Sequence, residues 1–189
     1  MHRTIWLSAL LLTTASPALA HPGHEVSGFL HPFTGLDHLL VMVGVGLWAA
    51  LLAGRKPVIA VAVPAAFLAM MAIGAAAGFA GIKLPLVEAA ILASVFVIGA
   101  LIIGAVRLPV AWAMAVVGLF AVFHGYAHAL EAPPAAAGGY ILGFLAATAL
   151  LQGIGLALGW AVHRVVGDVG VRALGGVVFA AGAVVLIAH

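Results

Sequence analysis

The chain has 189 residues, of which 66% are hydrophobic and only 6% are charged, whereas ordinary soluble domains carry about 25% charged residues. These few charged residues cannot cover a surface that faces water. The composition therefore excludes a soluble globular protein and predicts that the bilayer is the solvent. The formal net charge of +2 argues against nucleic-acid binding, and the absence of cysteine excludes disulfides, thiolate catalysis and thiolate metal sites.

Residues 1–20 have the pattern of a cleaved signal peptide. Arg3 supplies a positive charge, a short apolar run follows, and residues 18–20 (Ala-Leu-Ala) form a small-x-small cleavage site. The alternative is an uncleaved first helix, but Pro17 and the shortness of the apolar run argue against it. We therefore expect cleavage after residue 20, which leaves residues 21–189 as a single transmembrane domain.

Turn and charge signals divide the rest of the chain into an all-α bundle of about six transmembrane helices, since a span requires about 20 apolar residues. The predicted spans cover residues 34–53, 58–79, 86–106, 110–130, 138–161 and 171–188. The 24 glycines include pairs with small-xxx-small spacing, such as Gly74 with Gly78 and Gly155 with Gly159. This spacing lets helix backbones approach closely and predicts a compact bundle.

The basic residues predict the orientation of the bundle in a bacterial inner membrane. Cleavage would place the mature N-terminus in the periplasm, and alternation of the spans then places five basic residues in the cytoplasm and only Lys83 outside, as the positive-inside rule expects. The five are Arg55, Lys56, Arg107, Arg164 and Arg172. Trp48, Trp112 and Trp160 fall near the cytoplasmic ends of their spans, where indole rings favour the interface.

On this topology almost all side chains that commonly bind metal ions lie at the periplasmic face, although they come from different spans. They are His21, His24, Glu25, His31, Asp37, His38, Glu88, His124, His128 and Glu131. Ionisable side chains at membrane depth are costly and commonly mark a functional site or pathway. We therefore predict a histidine/carboxylate metal site at the periplasmic face.

The fourth span carries the most informative spacing. His124, His128 and Glu131 follow one another at intervals of four and three residues, so they share one helix face. Two imidazoles one helical turn apart can bind one divalent ion. Interfacial histidines that hydrogen-bond to backbone or lipid headgroups are the alternative, but three such residues in an otherwise apolar helix favour a metal site.

The first span leaves two interpretations open. Thr34 with Asp37 three residues later resembles a capping box, which would serve only the start of a helix. Alternatively, Asp37 orients the imidazole of His38 as a metal ligand, and His31 lies nearby in sequence. If one ion is held by both motifs, His38 and His128 should lie close together, with their rings pointing into the bundle.

Two weaker candidates lie outside these motifs. Glu88 follows Pro85 in the first turn of the third span, where the helix dipole alone would favour a glutamate. At the mature N-terminus, the amine and imidazole of His21 could chelate an ion, with His24 nearby, while Pro22 has no amide hydrogen and blocks ligation by its nitrogen. The alternative for this segment is a flexible tail.

These motifs resemble those of a known family. The His-x5-Asp-His pattern of residues 31–38 and the Phe-His-Gly-Tyr-Ala-His-Ala-Leu-Glu sequence of residues 123–131 are similar to the two signature motifs of HupE/UreJ proteins. The resemblance implies a nickel or cobalt permease, or an accessory protein linked to hydrogenase and urease and their maturation proteins. By motif position the functional residues would be His31, Asp37, His38, His124, His128 and Glu131. Ala129 stands where glycine is common in the family.

Imidazole and carboxylate ligands suit borderline divalent ions, and among these the resemblance favours nickel, with cobalt, zinc and copper as further candidates. The main hypothesis is a permease rather than an enzyme, in which the ion binds outside and passes inward between the first and fourth spans. The membrane potential could drive it, at roughly 4.6 kcal/mol per 100 mV for a dication. Nearly the only polar side chains deep in the spans are Ser94, Thr148 and Gln152, so the inner half of this path is its least supported part.

Two alternatives to a permease stay open. One is a metal-dependent intramembrane hydrolase, in which the ion activates water and Asp37 or Glu131 acts as the base. The other is a non-transporting metal-binding accessory protein that passes ions to a partner during maturation of a nickel enzyme. Uptake by the purified protein in liposomes would separate the permease from both.

Overall fold

The computed structural model describes the backbone of residues 24–54 and 56–188 and the side chains of residues 28–54 and 56–187. These residues form seven α-helices and one short 3₁₀ helix, Pro134–Ala136. The α-helices are α1 (His24–Thr34), α2 (Leu36–Ala53), α3 (Pro57–Phe79), α4 (Val87–Ile103), α5 (Val110–Glu131), α6 (Ala137–Val166) and α7 (Asp168–Ala188). The predicted all-α fold class is confirmed.

Helices α2 to α7 correspond to the six predicted spans. Five of them are long and apolar enough to cross a membrane, and α4 is an apolar helix of 17 residues. It ends before the predicted residue 106 because the chain leaves the helix at Ala105, which has a positive φ of 47°. In contrast, α6 runs past the predicted residue 161, with His163 and Arg164 in its last turn, where basic side chains suit the exposed helix carbonyls.

Helix α1 was not predicted. It precedes α2 with a break at Gly35 and packs against α6, where a Cβ added to Gly28 would overlap the backbone of Tyr140. The capping-box interpretation of the next turn is wrong. Gly35 is the N-cap of α2 and makes no side-chain cap, while the hydroxyl of Thr34 donates back to the carbonyl of His31. The hydroxyl therefore belongs to the end of α1 and leaves Asp37 free for another partner.

The core is built around α2, which packs against α3, α4, α6 and α7. The predicted glycine packing is confirmed: Gly74 meets the backbone of α5 at Val122, and Gly155 meets the backbone of α2 at Val43. In α5 itself, a Cβ on Gly125 would overlap the carbonyl oxygen of Met71 in α3. These contacts bring α5 and α6 close to their neighbours and hold the side chains that α5 presents in fixed positions.

The two ends of the bundle carry different polar residues. We call the end that gathers His31, His38, His128, Glu131 and Glu88 the histidine end, and the end that gathers Gly54, Arg107, His163 and Asp168 the arginine end. The separation is the one that the six-span topology predicts. Which end faces the periplasm stays a prediction.

Candidate metal centre at the histidine end

Helix α5 supplies two buried imidazoles. His124 and His128 are both 0% exposed, whereas Glu131 lies at the exposed end of the helix. Gly125 stands between the two histidines and lets the α5 backbone contact α3. The helical spacing therefore places both rings inside the bundle, and the close approach to α3 keeps them there.

Helix α2 supplies His38 together with an orienting carboxylate. Asp37 Oδ1 accepts a hydrogen bond from the backbone N–H of His38 and lies 2.9 Å from the ring nitrogen Nδ1 of the same residue. Because a carboxylate accepts, Nδ1 carries the hydrogen and the lone pair of a neutral ring is on Nε2. His38 is 8% exposed, and its Nε2 has no hydrogen-bond partner in the described part of the chain.

Helix α1 brings the outermost ring. His31 Nε2 lies 3.0 Å from a carboxylate oxygen of Glu131, and the ring centroids of His31 and His128 are 5.0 Å apart. His128 Nδ1 lies 3.5 Å from the same carboxylate oxygen, without hydrogen-bond geometry. Ligand atoms of His31, His128 and Glu131 all lie within 4.8 Å of one another. Metal–ligand bonds are about 2.1 Å long, so each of these donor atoms would have to move roughly half an ångström toward a shared ion.

The four rings form a series from the exposed end into the bundle. The centroid of His128 lies 4.7 Å from that of His38, and His38 lies 4.9 Å from His124. The prediction that His38 and His128 lie close together is therefore confirmed, and the two motifs form one cluster. We call His31, His38, His124, His128 and Glu131 the histidine cluster.

The deepest ring is oriented by a residue of α4. His124 Nε2 lies 3.1 Å from the hydroxyl oxygen of Ser94, and that hydroxyl donates to the carbonyl of Ile91. Because the hydroxyl hydrogen is used, the oxygen accepts from His124 Nε2, which leaves the lone pair of this ring on Nδ1. His124 Nδ1 has no partner among the described residues. Ser94 thus fixes the orientation and tautomer of His124, as Asp37 fixes those of His38.

Several lone-pair nitrogens in this cluster are buried and unpartnered. Besides His38 Nε2 and His124 Nδ1, both ring nitrogens of His128 make no hydrogen bond within the residues described. Native proteins rarely leave buried polar atoms unsatisfied, because the loss of hydration is costly. Three adjacent histidines with free nitrogens are therefore typical of a site that binds a cation.

The cluster opens on a cavity of about 410 Å³ at the histidine end. Glu88 lines this cavity together with His31, Asp37 and Glu131, but its own side chain is exposed. Of the two N-terminal candidates, His21 is outside the described residues, and only the backbone of His24 is described. The geometry therefore brings together six predicted residues, with Glu88 at the rim of the same cavity.

Apolar residues around the cluster were not identified from the sequence. The ring of Phe144 in α6 stacks on His128 at a centroid distance of 4.3 Å and an angle of 26°, and Phe67 in α3 lies 5.8 Å from His124. The position of Ser94 below His124 was likewise not anticipated. These contacts depend on how the helices pack, and no local sequence signal marks them.

A second group of ionisable side chains lies at the arginine end. Arg107 Nη2 lies 3.1 Å from Asp168 Oδ2, and His163 Nδ1 lies 3.0 Å from Asp168 Oδ1. All three side chains are substantially exposed. Arg107 donates a hydrogen bond to Asp168 Oδ2, whereas His163 lies close to Oδ1 without hydrogen-bond geometry in the described part of the chain.

Comparisons with known proteins agree with the motifs. A family model described as HupE / UreJ protein matches residues 9–185. A relative named Protein HupE, from Rhizobium leguminosarum bv. viciae, is 44% identical over 189 residues, which covers 97% of this chain and 96% of the relative. No solved structure matches the chain.

Proposed function

Because the chain belongs to the HupE/UreJ family, we propose that this multi-pass membrane protein is a permease for a divalent metal ion, with nickel as the main cargo and cobalt second. The family is linked to nickel and cobalt transport or to accessory roles for hydrogenase and urease. In this proposal the histidine end faces the periplasm and the arginine end faces the cytoplasm. The observation that carries it is the group of buried, unpartnered ring nitrogens on His38, His124 and His128.

Capture begins at the exposed part of the cluster. His31, His128 and Glu131 supply two imidazoles and one carboxylate at the opening of the cavity. This donor set suits nickel, cobalt, copper or zinc better than magnesium or calcium, which prefer oxygen ligands. The negative charge of Glu131 also offsets part of the charge of the ion, which would otherwise be costly to bring to membrane depth.

The next step inward uses the rings that Asp37 and Ser94 orient. His38 Nε2 and His124 Nδ1 hold the free lone pairs of their rings, and His128 lies within 5 Å of His38. A neutral imidazole has one lone-pair nitrogen at a time. His128 therefore serves either the outer set through Nδ1 or the inner set through Nε2, and a change of tautomer accompanies transfer of the ion between them.

A non-transporting accessory protein is the second candidate. It needs no path through the bundle, and at the arginine end Arg107 and His163 each contact Asp168. An intramembrane hydrolase receives less support, because its candidate bases Asp37 and Glu131 already contact His38 and His31. We therefore propose no enzymatic activity.

Nickel uptake by purified protein in sealed liposomes tests the proposal. With an inside-negative potential, the wild-type protein should accumulate radioactive nickel, and His128→Ala should accumulate no more than empty liposomes. His163→Ala is the matched control, since it removes a histidine of the arginine end, and it should retain uptake. Binding of nickel by the wild-type protein without accumulation would favour the accessory role.

A further inference from the structure

A second polar feature lies below the histidine cluster, on the facing sides of α6 and α2. Thr148 and Gln152 follow Phe144 on α6 at intervals of four residues, so the three side chains form one stripe along the helix. All three are buried. Phe144 stacks on His128, so the stripe begins directly at the cluster.

Helix α2 faces this stripe with a thioether. Met42 follows His38 by one helical turn, and the hydroxyl of Thr148 donates to its sulfur at 3.3 Å. The hydroxyl oxygen keeps its lone pairs when it donates. A hydroxyl and a thioether therefore meet one turn deeper than the cluster, at the seam between two spans.

The contacts along this seam do not account for the buried amide of Gln152. It is 1% exposed, and neither its amide oxygen nor its amide nitrogen has a hydrogen-bond partner in the part of the chain that the structure describes. Leaving one buried polar group unsatisfied costs about 1–3 kcal/mol, and Gln152 leaves two. Polar side chains inside membrane bundles commonly face an ion or water pathway, and a ligand of that kind would remove the cost.

The seam closes immediately beside Gln152. A Cβ on Gly46 would overlap the carbonyl oxygen of Gln152, and a Cβ on Gly155 would overlap the carbonyl oxygen of Val43. The backbones of α2 and α6 are therefore in contact at this level. The polar stripe begins at the histidine cluster and ends where the two helices meet.

We propose that Gln152, Thr148 and Met42 form a second, weaker binding position for the same dication, reached from the histidine cluster along the α2–α6 seam. The position lies about 6–12 Å deeper than His38, since Met42 follows His38 by four residues of α2 and Gly46, beside Gln152, follows it by eight, at a rise of about 1.5 Å each. The inference rests on the proposed function and extends it to the middle of the bundle.

The chemistry of the three donors suits a transient position. An amide oxygen, a hydroxyl oxygen and a thioether carry no charge, and they bind a borderline dication more weakly than imidazole and carboxylate do. Conduction requires sites that an ion can leave as well as enter. Water would complete the shell of the ion, as it does for other buried polar groups.

A purely structural role for Gln152 makes a different prediction. Pro64 in α3 has no N–H, so the carbonyl of Ala60 lacks its usual helical donor, and both residues line the same groove as Gln152. A small rotation could satisfy the amide of Gln152 on that carbonyl without any ion. In that case neither water nor a charged reagent would reach the position of Gln152.

The absence of native cysteine makes the distinction measurable. Gln152→Cys and Thr148→Cys each introduce a single thiol, and Ala147→Cys is the matched control, because Ala147 is fully buried on the same helix beside the stripe. The probe is a small cationic methanethiosulfonate, which reaches a buried thiol through water rather than through lipid. Modification is followed by intact mass in detergent, with and without nickel.

We expect the thiols at positions 148 and 152 to react at least about tenfold faster than the thiol at position 147, because access decides the reactivity of a buried thiol. Nickel should slow the reaction at both stripe positions. Equal, slow modification at all three positions would overturn the inference, and this result does not depend on whether the protein transports.

A second variant tests the role in transport. Gln152→Leu should keep the nickel affinity of the histidine cluster, measured by calorimetry in detergent, and lose at least about tenfold of the uptake rate, since it removes a binding position and not the capture site. Unchanged uptake would overturn the inference. Reactive thiols in the Thr148→Cys and Gln152→Cys variants, together with a wild-type protein that takes up no nickel, would instead reject the permease and keep the deep position.

Discussion

The two ends of this bundle both contain histidine and carboxylate, but they use them in opposite ways. At the arginine end, His163 and Arg107 contact the two oxygens of Asp168, and all three side chains are well exposed. At the histidine end, His124 and His128 are fully buried and keep unpartnered ring nitrogens. The arginine end therefore has exposed side chains in close contact, and the histidine end has buried nitrogen donors without hydrogen-bond partners among the described residues.

Burial and unpartnered donor atoms distinguish a binding site from other groups of the same residue types. Exposed ion pairs contribute little free energy and can form wherever opposite charges meet. Buried imidazoles with free nitrogens are costly unless a ligand satisfies them. Asp37 and Ser94 each orient a ring at the histidine end, and such supporting contacts are typical of metal sites.

The largest effect is expected from the histidine that links the outer and inner parts of the cluster. His128→Ala should weaken nickel binding by at least about 100-fold, because even removal of an orienting partner costs about 10–100-fold at metal sites. His163→Ala should change the affinity by less than about fivefold, since exposed pairs contribute at most about 1 kcal/mol. Calorimetry on the purified variants measures both. Equal losses would erase the distinction between the two ends.

A double-mutant cycle tests whether the histidine cluster is a single metal site. The double variant of His38→Ala with His128→Ala should lose little more affinity than either single variant, because residues that act on one site are not additive. Calorimetry on the wild-type protein, the two single variants and the double variant measures this double-mutant cycle. Additive losses would indicate two independent metal sites at the histidine end.

Asp37→Asn should have the next largest effect. Asparagine keeps the size of the side chain but removes the charge that fixes Nδ1–H of His38, so nickel affinity should fall by about 10–100-fold. The same calorimetric titration measures the change. A loss as complete as that of His38→Ala would mean that Asp37 binds the ion directly, and no loss would mean that His38 needs no orienting partner.

Gly125→Ala tests whether packing holds the site. Its Cβ would overlap the carbonyl oxygen of Met71, so α5 must shift with His124 and His128, at a cost of about 1–3 kcal/mol in stability. Gly176→Ala is the control, because a Cβ there meets open space. Thermal unfolding in detergent should show a loss for the first variant alone. A stable Gly125→Ala protein with unchanged nickel affinity would show that the site tolerates movement of α5.

The smallest effect is expected at the arginine end. Arg107→Gln breaks the contact with Asp168 and should cost at most about 1 kcal/mol in the free energy of unfolding, because both side chains are exposed. Nickel affinity should not change. A large loss of nickel binding in this variant would show that the two ends are coupled.

The spans could be predicted because apolar runs and turn residues mark them directly. Helix α1 was not predicted, because it is short, contains Pro32 and packs through a backbone contact of Gly28 with Tyr140. The end of α4 was also missed, because it depends on the left-handed conformation of Ala105. Both errors concern conformations that tertiary contacts or single backbone angles decide.

The candidate site was predictable to a similar extent. The proximity of His38 and His128 followed from two motifs at one face of the membrane. The pairing of His31 with Glu131 required α1 to fold over the cluster, and the contact of Ser94 with His124 required the packing of α4 against α5. Neither contact has a local signal in the sequence.

The proposed function requires that the ring nitrogens of the histidine cluster bind the metal ion. X-ray absorption spectroscopy of the nickel-loaded protein tests it most directly, because imidazole ligands produce characteristic multiple scattering from their outer ring atoms. We predict a nickel shell that contains more than one imidazole, with fewer in His38→Ala and fewer in His128→Ala, and an unchanged shell in His163→Ala. A shell of oxygen ligands without imidazole scattering, or one that neither cluster variant alters, would show that the histidine cluster does not bind the ion.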